Sequence, residues 1–228
     1  MPAPFPIDRL VRSRRKTISL IVQSDGTLTV RAPLRMSDKH IQEFVHLHMD
    51  WILKKQALVR SAPPAFKKEF QAGETFLFHG KEYPLVVGPG QKSTLIFQGD
   101  RFVITRAGLP KARQAFLRWY REQARQFLTE RVSVLARQHG FVYTKIRITS
   151  ARTRWGSCSS RGTLSFTWRL IMAPPEVIDY VVIHELVHTR VNNHSRLFWQ
   201  TVALIMPDYK LQVTWLKKNG RNLTMGDA

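Results

Sequence analysis

With 228 residues the chain can form one large domain or two modest ones, and 43% hydrophobic with 23% charged residues is ordinary for a soluble globular protein. Its 36 lysines and arginines against 16 acids leave a net charge of +20, a field that attracts polyanions such as nucleic acid, nucleotides or acidic protein segments, although a solvated positive surface without a dedicated partner is the plainer alternative. No stretch approaches the roughly 20 apolar residues of a membrane span. The start from Met1 to Pro6 does not read as a signal peptide, and the single Cys158 excludes an internal disulfide framework, so a reduced cytoplasmic setting without a membrane partner is expected.

In chain order, Thr17-Ile18-Ser19-Leu20-Ile21-Val22 and Thr27-Leu28-Thr29-Val30-Arg31 alternate around Ser24-Asp25-Gly26, which predicts a hairpin. Ser37 begins a helix whose Ile41, Phe44, Val45 and Ile52 recur at helical spacing to about Val59, and Ser61-Ala62-Pro63-Pro64 ends it. Short strands are predicted over 75–78, 83–87, 94–97 and 102–105, the last pair joined across Gly99-Asp100. These elements make 1–105 a small strand-rich N-terminal domain and leave 106–228 as a second one. The first part carries 16 basic and 9 acidic residues and the second 20 and 7, so most of the positive excess lies in the second.

Pro110 opens a long amphipathic helix that Gly140 closes, with Phe116, Trp119, Tyr120, Phe127, Leu128, Val132 and Leu135 as its core face. Strands over 145–150 and 163–166 then flank an arginine-rich loop. Ala173-Pro174-Pro175-Glu176 starts the next helix, with proline tolerated in the first turn and an acid near the positive end of the dipole. Val177, Ile178, Tyr180, Val181, Val182 and Ile183 follow almost without a polar break, so this helix is packed on most sides.

Inside that apolar segment stands His184-Glu185-Leu186-Val187-His188. On a helix, positions i and i+4 share a face, so the two imidazoles can hold one metal ion, and Glu185 can reach a water beside it. Unpaired polar groups in a core are costly, and a metal supplies the reason for these. Catalytic zinc usually takes three protein ligands and keeps a fourth position open. After His188 the only histidine is His194 and the only acids are Asp208 and Asp227, which makes His194 the expected third ligand and Asp208 the alternative. Asn192-Asn193 can end the helix and turn the chain back, and Ser195 can cap a new helix bearing Leu197, Phe198, Val202 and Leu204. His40, His46, His48, His79 and His139 lack ligand spacing. Zinc lowers the pKa of a bound water towards about 7, and Glu185 would accept that proton and return it to the leaving group.

The tract Arg152-Thr153-Arg154-Trp155-Gly156-Ser157-Cys158-Ser159, with Trp168-Arg169-Leu170, Ala173-Pro174, Tyr180 to His188, Asn193-His194-Ser195 and Phe198-Trp199, resembles the YgjP-like metallopeptidase family, which is related to the SprT-like and WLM zinc proteases. Arg12-Ser13-Arg14-Arg15-Lys16-Thr17-Ile18 and Trp51-Ile52 also match its pattern, so the resemblance covers nearly the whole chain. It implies an α+β fold: the strand-rich N-terminal part followed by a mainly helical zincin-like domain with a short antiparallel sheet. It also implies zinc held by His184, His188 and His194 with Glu185 as base. One departure is Thr167, where the family pattern has asparagine before Trp-Arg-Leu.

Arg152, Arg154 and Trp155 are candidates to line the approach to the site, although Trp155 could be core and Arg154 could instead pair with Asp179 or Glu176. Cys158 is not expected to be a ligand, because the open position must stay open. A zinc endopeptidase acting on a peptide or protein is the leading reading. A nucleoside-triphosphate pyrophosphatase, using the same metal and the arginine excess, is the alternative, and a nucleic-acid-binding protein with a relict site is the third.

Overall fold

The computed structural model describes residues 4–23, 25–60, 68–89 and 94–226. The chain divides into two compact units, Met1–Phe66 with Gly226–Ala228, and Lys67–Met225.

In the first unit, β1 (Arg9–Ser13), β2 (Ser19–Val22) and β3 (Leu28–Pro33) form a sheet of order β1-β3-β2. The expected hairpin is β2 and β3, antiparallel with Leu20 opposite Val30. Asp25 closes its turn by accepting from the Thr27 N–H at 2.9 Å, and Gly26 takes φ +85° there, a backbone angle that glycine adopts without a steric penalty. Ser24, which the sequence assigned to the turn, lies outside the described residues, as do Ser61-Ala62-Pro63-Pro64. The predicted single helix is two, α1 (Asp38–Leu47) and α2 (Met49–Arg60), broken at His48, whose ring Nδ1 lies 2.8 Å from the Phe44 carbonyl. Ser37 caps α1 by accepting from the His40 N–H. Leu28, Val30, Ala32, Ile41, Val45 and Ile52 make a small core.

The second unit begins with β4 (Thr75–Phe78), β5 (Lys81–Gly88), β6 (Leu95–Phe97) and β7 (Phe102–Thr105), in the order β4-β5-β7-β6. A 3₁₀ turn over Arg106–Lys111 contains Pro110 and leads into α3 (Ala112–His139), closed by Gly140 at φ +68°. The division therefore falls ahead of β4, where local pattern had placed it at 105/106. The cause is aromatic packing between sheet and helix. Phe76 stacks on Phe116 at 4.0 Å, Phe102 lies 5.0 Å from Phe116, and the Tyr120 hydroxyl donates to the Leu77 carbonyl at 2.6 Å. Four strands whose inner face is covered by α3 belong with α3.

Next come β8 (Lys145–Thr149), β9 (Gly156–Cys158) and β10 (Thr163–Thr167), in the order β8-β10-β9. This sheet is mixed: β10 runs parallel to β8 and antiparallel to β9. A 3₁₀ turn over Trp168–Met172 delivers the chain to α4 (Pro175–Val187), followed by α5 (Arg196–Ile205) and α6 (Tyr209–Asn219). On α5, Phe198 and Val202 are buried, whereas Leu197 and Leu204 are exposed. Among the described residues no helix is long and apolar enough to cross a membrane.

Candidate metal centre

Helix α4 is fixed before it delivers any chemistry. The tip of the β4–β5 hairpin donates from the His79 N–H to the Ile171 carbonyl at 3.0 Å and from the Gly80 N–H to the Met172 carbonyl at 2.9 Å. Gly80 sits so close to Pro174 that a Cβ there would fall 2.6 Å from the ring. Arg131 on α3 grips Asp179 with two hydrogen bonds of 2.7 and 2.8 Å. That bidentate pair takes the acid that sequence had offered to Arg154. Along the helix Val177, Ile178, Tyr180, Val181, Val182, Ile183, Leu186 and Val187 are buried, so it cannot rotate without emptying the core.

The helix ends at Val187 rather than at Asn192-Asn193. Thr189 tightens the last turn by donating both its N–H, at 3.0 Å, and its hydroxyl, at 2.7 Å, to the Leu186 carbonyl. The chain then doubles back, and the Asn193 side chain accepts from the Ser195 N–H at 3.3 Å as α5 begins. His194 is thereby returned to the helix it left.

The three imidazoles converge. Nε2 of His194 lies 3.0 Å from Nε2 of His184 and 3.2 Å from Nε2 of His188. The His188 Nδ1 is 3.0 Å from the Val191 carbonyl, which places the proton on Nδ1 and leaves Nε2 as a lone pair. A cation among the three Nε2 atoms would be bound by their lone pairs. Tetrahedral coordination with metal–nitrogen bonds of 2.0–2.1 Å separates its ligands by about 3.3 Å, close to what these residues adopt. Among the described residues, His184, His188 and His194 form the one group of potential ligands whose atoms lie within 4.8 Å of one another; Asp208 is not part of it. The donor set therefore fits a divalent metal.

Burial first, then the neighbouring His188 and His194, pushes the His184 pKa down to about 4, so this imidazole stays neutral and able to bind metal. Burial and His188 likewise lower His194. Aromatic rings wall the cluster. Phe198 packs on all three imidazoles at 4.5 to 4.9 Å, and Trp199 stacks on His194 at 5.7 Å.

Glu185 is 5% exposed, and its carboxylate lies against β9. A Cβ on Gly156 would stand 2.5 Å from its Oε1, so only glycine leaves room for it. Burial pushes its pKa up to about 7, against the opposing pull of the Arg154 guanidinium. Cys158, half-buried on the same strand, has its thiol pushed up by burial and then by Glu185, which keeps it protonated and a poor nucleophile.

Arg152 and Arg154 are exposed on the loop before β9, and Trp155 is half-buried. The loop is tied from below. Buried Arg169, stacked on Trp168 at 4.5 Å, donates to the carbonyls of Ser150 at 3.3 Å and Ala151 at 3.5 Å. Thr167, the departure from the family pattern, donates its hydroxyl to the Ala151 carbonyl at 2.9 Å and its N–H to the Trp155 carbonyl at 3.0 Å. A cavity of about 430 Å³ opens beside Glu185 and His184, lined also by Trp155, Gly156, Tyr180, Val181, Val213, Leu216 and Lys217. Sequence reasoning missed Gly156, Tyr180 and the α6 residues as parts of the site. The glycine was visible within the Arg-Trp-Gly-Ser tract, but nothing local links α6 to α4.

Three histidines meet beside a buried glutamate, with His184 and Glu185 on α4, His188 at its C-terminal cap and His194 in the segment ahead of α5, an arrangement suited to metal-dependent hydrolysis. The chain belongs to the YgjP-like family: the family model described as YgjP-like, metallopeptidase domain, matches residues 16–219. No curated protein matches it. Among solved structures it is similar to the metallopeptidase zymogen of Pyrococcus abyssi abylysin, at 22% identity over 42% of this chain and 99% of that one, with a TM-score of 0.38.

Proposed function

We propose that this protein is a zinc endopeptidase in which His184, His188 and His194 hold the ion and Glu185 is the general base. The observation that carries this reading is the meeting of three Nε2 atoms at 3.0 to 3.2 Å beside a glutamate buried on the same helix. Three neutral nitrogen donors suit zinc. Zinc bound there would polarise a peptide carbonyl and acidify a water. Glu185 takes the proton of the attacking water and passes it to the leaving nitrogen. Arg154, charged beside that carboxylate, and Arg152 and Trp155 on the same loop contact the substrate. The lone Cys158 supports a reduced cytoplasmic setting.

The test pairs the wild-type protein with Glu185→Gln, both loaded with zinc, on casein and separately on nucleoside triphosphates. Wild type is expected to cleave casein, and the variant to keep its zinc by elemental analysis while losing about 10²–10⁴-fold of the rate. Pyrophosphate release with casein left whole would replace the peptidase by a phosphoanhydride hydrolase.

A further inference from the structure

The cavity beside Glu185 is built by three segments far apart in sequence. Trp155 and Gly156 come from the start of β9, Tyr180, Val181, His184 and Glu185 from α4, and Val213, Leu216 and Lys217 from α6. Its volume of about 430 Å³ lies within the roughly 300–1,000 Å³ of ligand clefts. Two of its walls are aromatic and three are aliphatic, and none of Val213, Leu216, Trp155 is fully buried, so apolar surface faces solvent next to the reacting groups.

The walls are held open. Trp155 is pressed against Gly220, where a Cβ would fall 2.8 Å from the indole, and its carbonyl accepts from the Thr167 N–H at 3.0 Å. Tyr180 stacks on Tyr209 at 6.3 Å and meets His184 edge-on at 5.9 Å. Tyr209 in turn stacks on Trp199 at 5.5 Å, so the aromatic wall of the cavity runs on into the wall of the histidine cluster. Substrate lying over Glu185 must place a side chain in this space or leave it filled with water against apolar rings. Burying an aromatic side chain there removes on the order of 150–250 Å² from water, and edge-to-face or stacked pairing with Trp155 and Tyr180 adds to it.

Charge narrows the choice further. Among the described residues lining the cavity, Glu185 and Lys217 are the only acidic and basic side chains beside the neutral His184, and Lys217 is exposed at the end of α6. With Glu185 committed to the reacting water, the remaining charge is a cation at the mouth. A group entering past it gains from carrying a carboxylate.

Resting on the peptidase reading above, we propose that this cavity is the specificity pocket: it takes a bulky aromatic or branched apolar side chain next to the scissile bond, in a peptide whose adjoining carboxylate pairs with Lys217. That carboxylate belongs either to an acidic side chain or to the chain terminus, and the test separates the two.

The zinc-loaded protein is given quenched fluorescent peptides that differ only in Phe or Ala at the positions flanking the cleaved bond, with Asp or Asn next to them, and with a C-terminal acid or amide. Phe is expected to exceed Ala in kcat/KM by roughly 10- to 100-fold, as a filled hydrophobic pocket allows. Val213→Trp, which fills the pocket, is expected to collapse that ratio. Lys217→Glu is expected to lower kcat/KM for the carboxylate-bearing peptides by up to about fivefold relative to their neutral partners. The arm that responds, Asp over Asn or acid over amide, identifies the source of the carboxylate. Binding of N-acetyl-phenylalanine amide to the metal-free protein by NMR titration provides a readout independent of catalysis, and Val213→Trp is expected to abolish it.

Equal cleavage of Phe and Ala peptides, with no effect of either substitution, would overturn the pocket and leave the peptidase standing. No cleavage of any peptide or of casein, with binding of the blocked phenylalanine intact and lost in Val213→Trp, would overturn the peptidase and leave the pocket as a ligand site. A carboxylate preference that Lys217→Glu does not change would remove Lys217 from the proposal.

Discussion

The two walls of the site are built in opposite ways. On one side, α4 carries His184 and Glu185, with His188 as its C-terminal cap, and the flanking residues are almost all buried, pinned by Arg131–Asp179 and by the His79-Gly80 hairpin tip. On the other, the loop from Arg152 to Trp155 leaves its arginines exposed and is held at its base through Arg169 and Thr167 and at Trp155 against Gly220. Groups that must hold a metal and a proton in one geometry are placed where packing leaves no freedom. The loop arginines, proposed above to meet the substrate, stand exposed where side chains can adjust. The polar cost of burying a glutamate and two half-buried histidines is accepted only on the rigid side.

That contrast gives a ranking of effects. The largest is expected for the ring that the chain brings back to that rigid wall: His194→Ala should weaken zinc binding by more than about 100-fold, whereas His139→Ala, at the end of α3 and outside the cluster, should leave it unchanged. Competition with a chromogenic chelator measures both, and equal affinities would move the third ligand elsewhere. Next comes the contact between the walls. Gly156→Ala puts a methyl within 2.5 Å of the Glu185 carboxylate and should cut kcat by about 10²-fold, as misplacement by an ångström does, with zinc content preserved. Undiminished kcat in that variant would mean that Glu185 does not act from its observed position.

Smaller effects belong to the exposed wall. Arg154→Ala should raise KM for peptides several-fold, up to about tenfold, and change thermal stability by less than about 0.5 kcal/mol. A stability loss larger than its kinetic loss would make the loop a structural brace instead. The smallest concerns pH. His79 has its pKa lowered by burial between Phe78 and Phe127, so the unfolded chain takes up a proton that the folded one resists. Stability from this position is present above the ordinary histidine pKa and is lost as pH falls through it. His79→Asn keeps the left-handed backbone (φ +48°) and removes the titration, so its melting temperature should fall less between pH 7 and pH 5 than that of wild type. Parallel falls in calorimetry would assign the acid sensitivity to another group.

How much of this was legible depends on distance along the chain. His184, Glu185 and His188 could be read because helical spacing alone brings i and i+4 together, and His194 because few other ligands follow. The long α3 was readable from Pro110 to Gly140, and the hairpin around Gly26 from its alternation. Strand β9 was read as loop, since Gly156-Ser157-Cys158 has no strand pattern and exists as a strand only because β10 pairs with it. The boundary before β4 was missed for a related reason: alternation shows that a strand has an inner face, and Phe76 and Phe102 do not state that Phe116 will cover it.

From its residues alone, this chain specified a helix that sets two histidines and a glutamate together, and the family to which it belongs, because those depend on contacts within a few turns. The room left for Glu185 by Gly156, the return of His194 to the helix and the cavity between α4, α6 and Trp155 were decided by tertiary structure. Each of these is a matter of which distant atoms come within van der Waals reach, and that follows from packing the whole unit rather than from any local spacing.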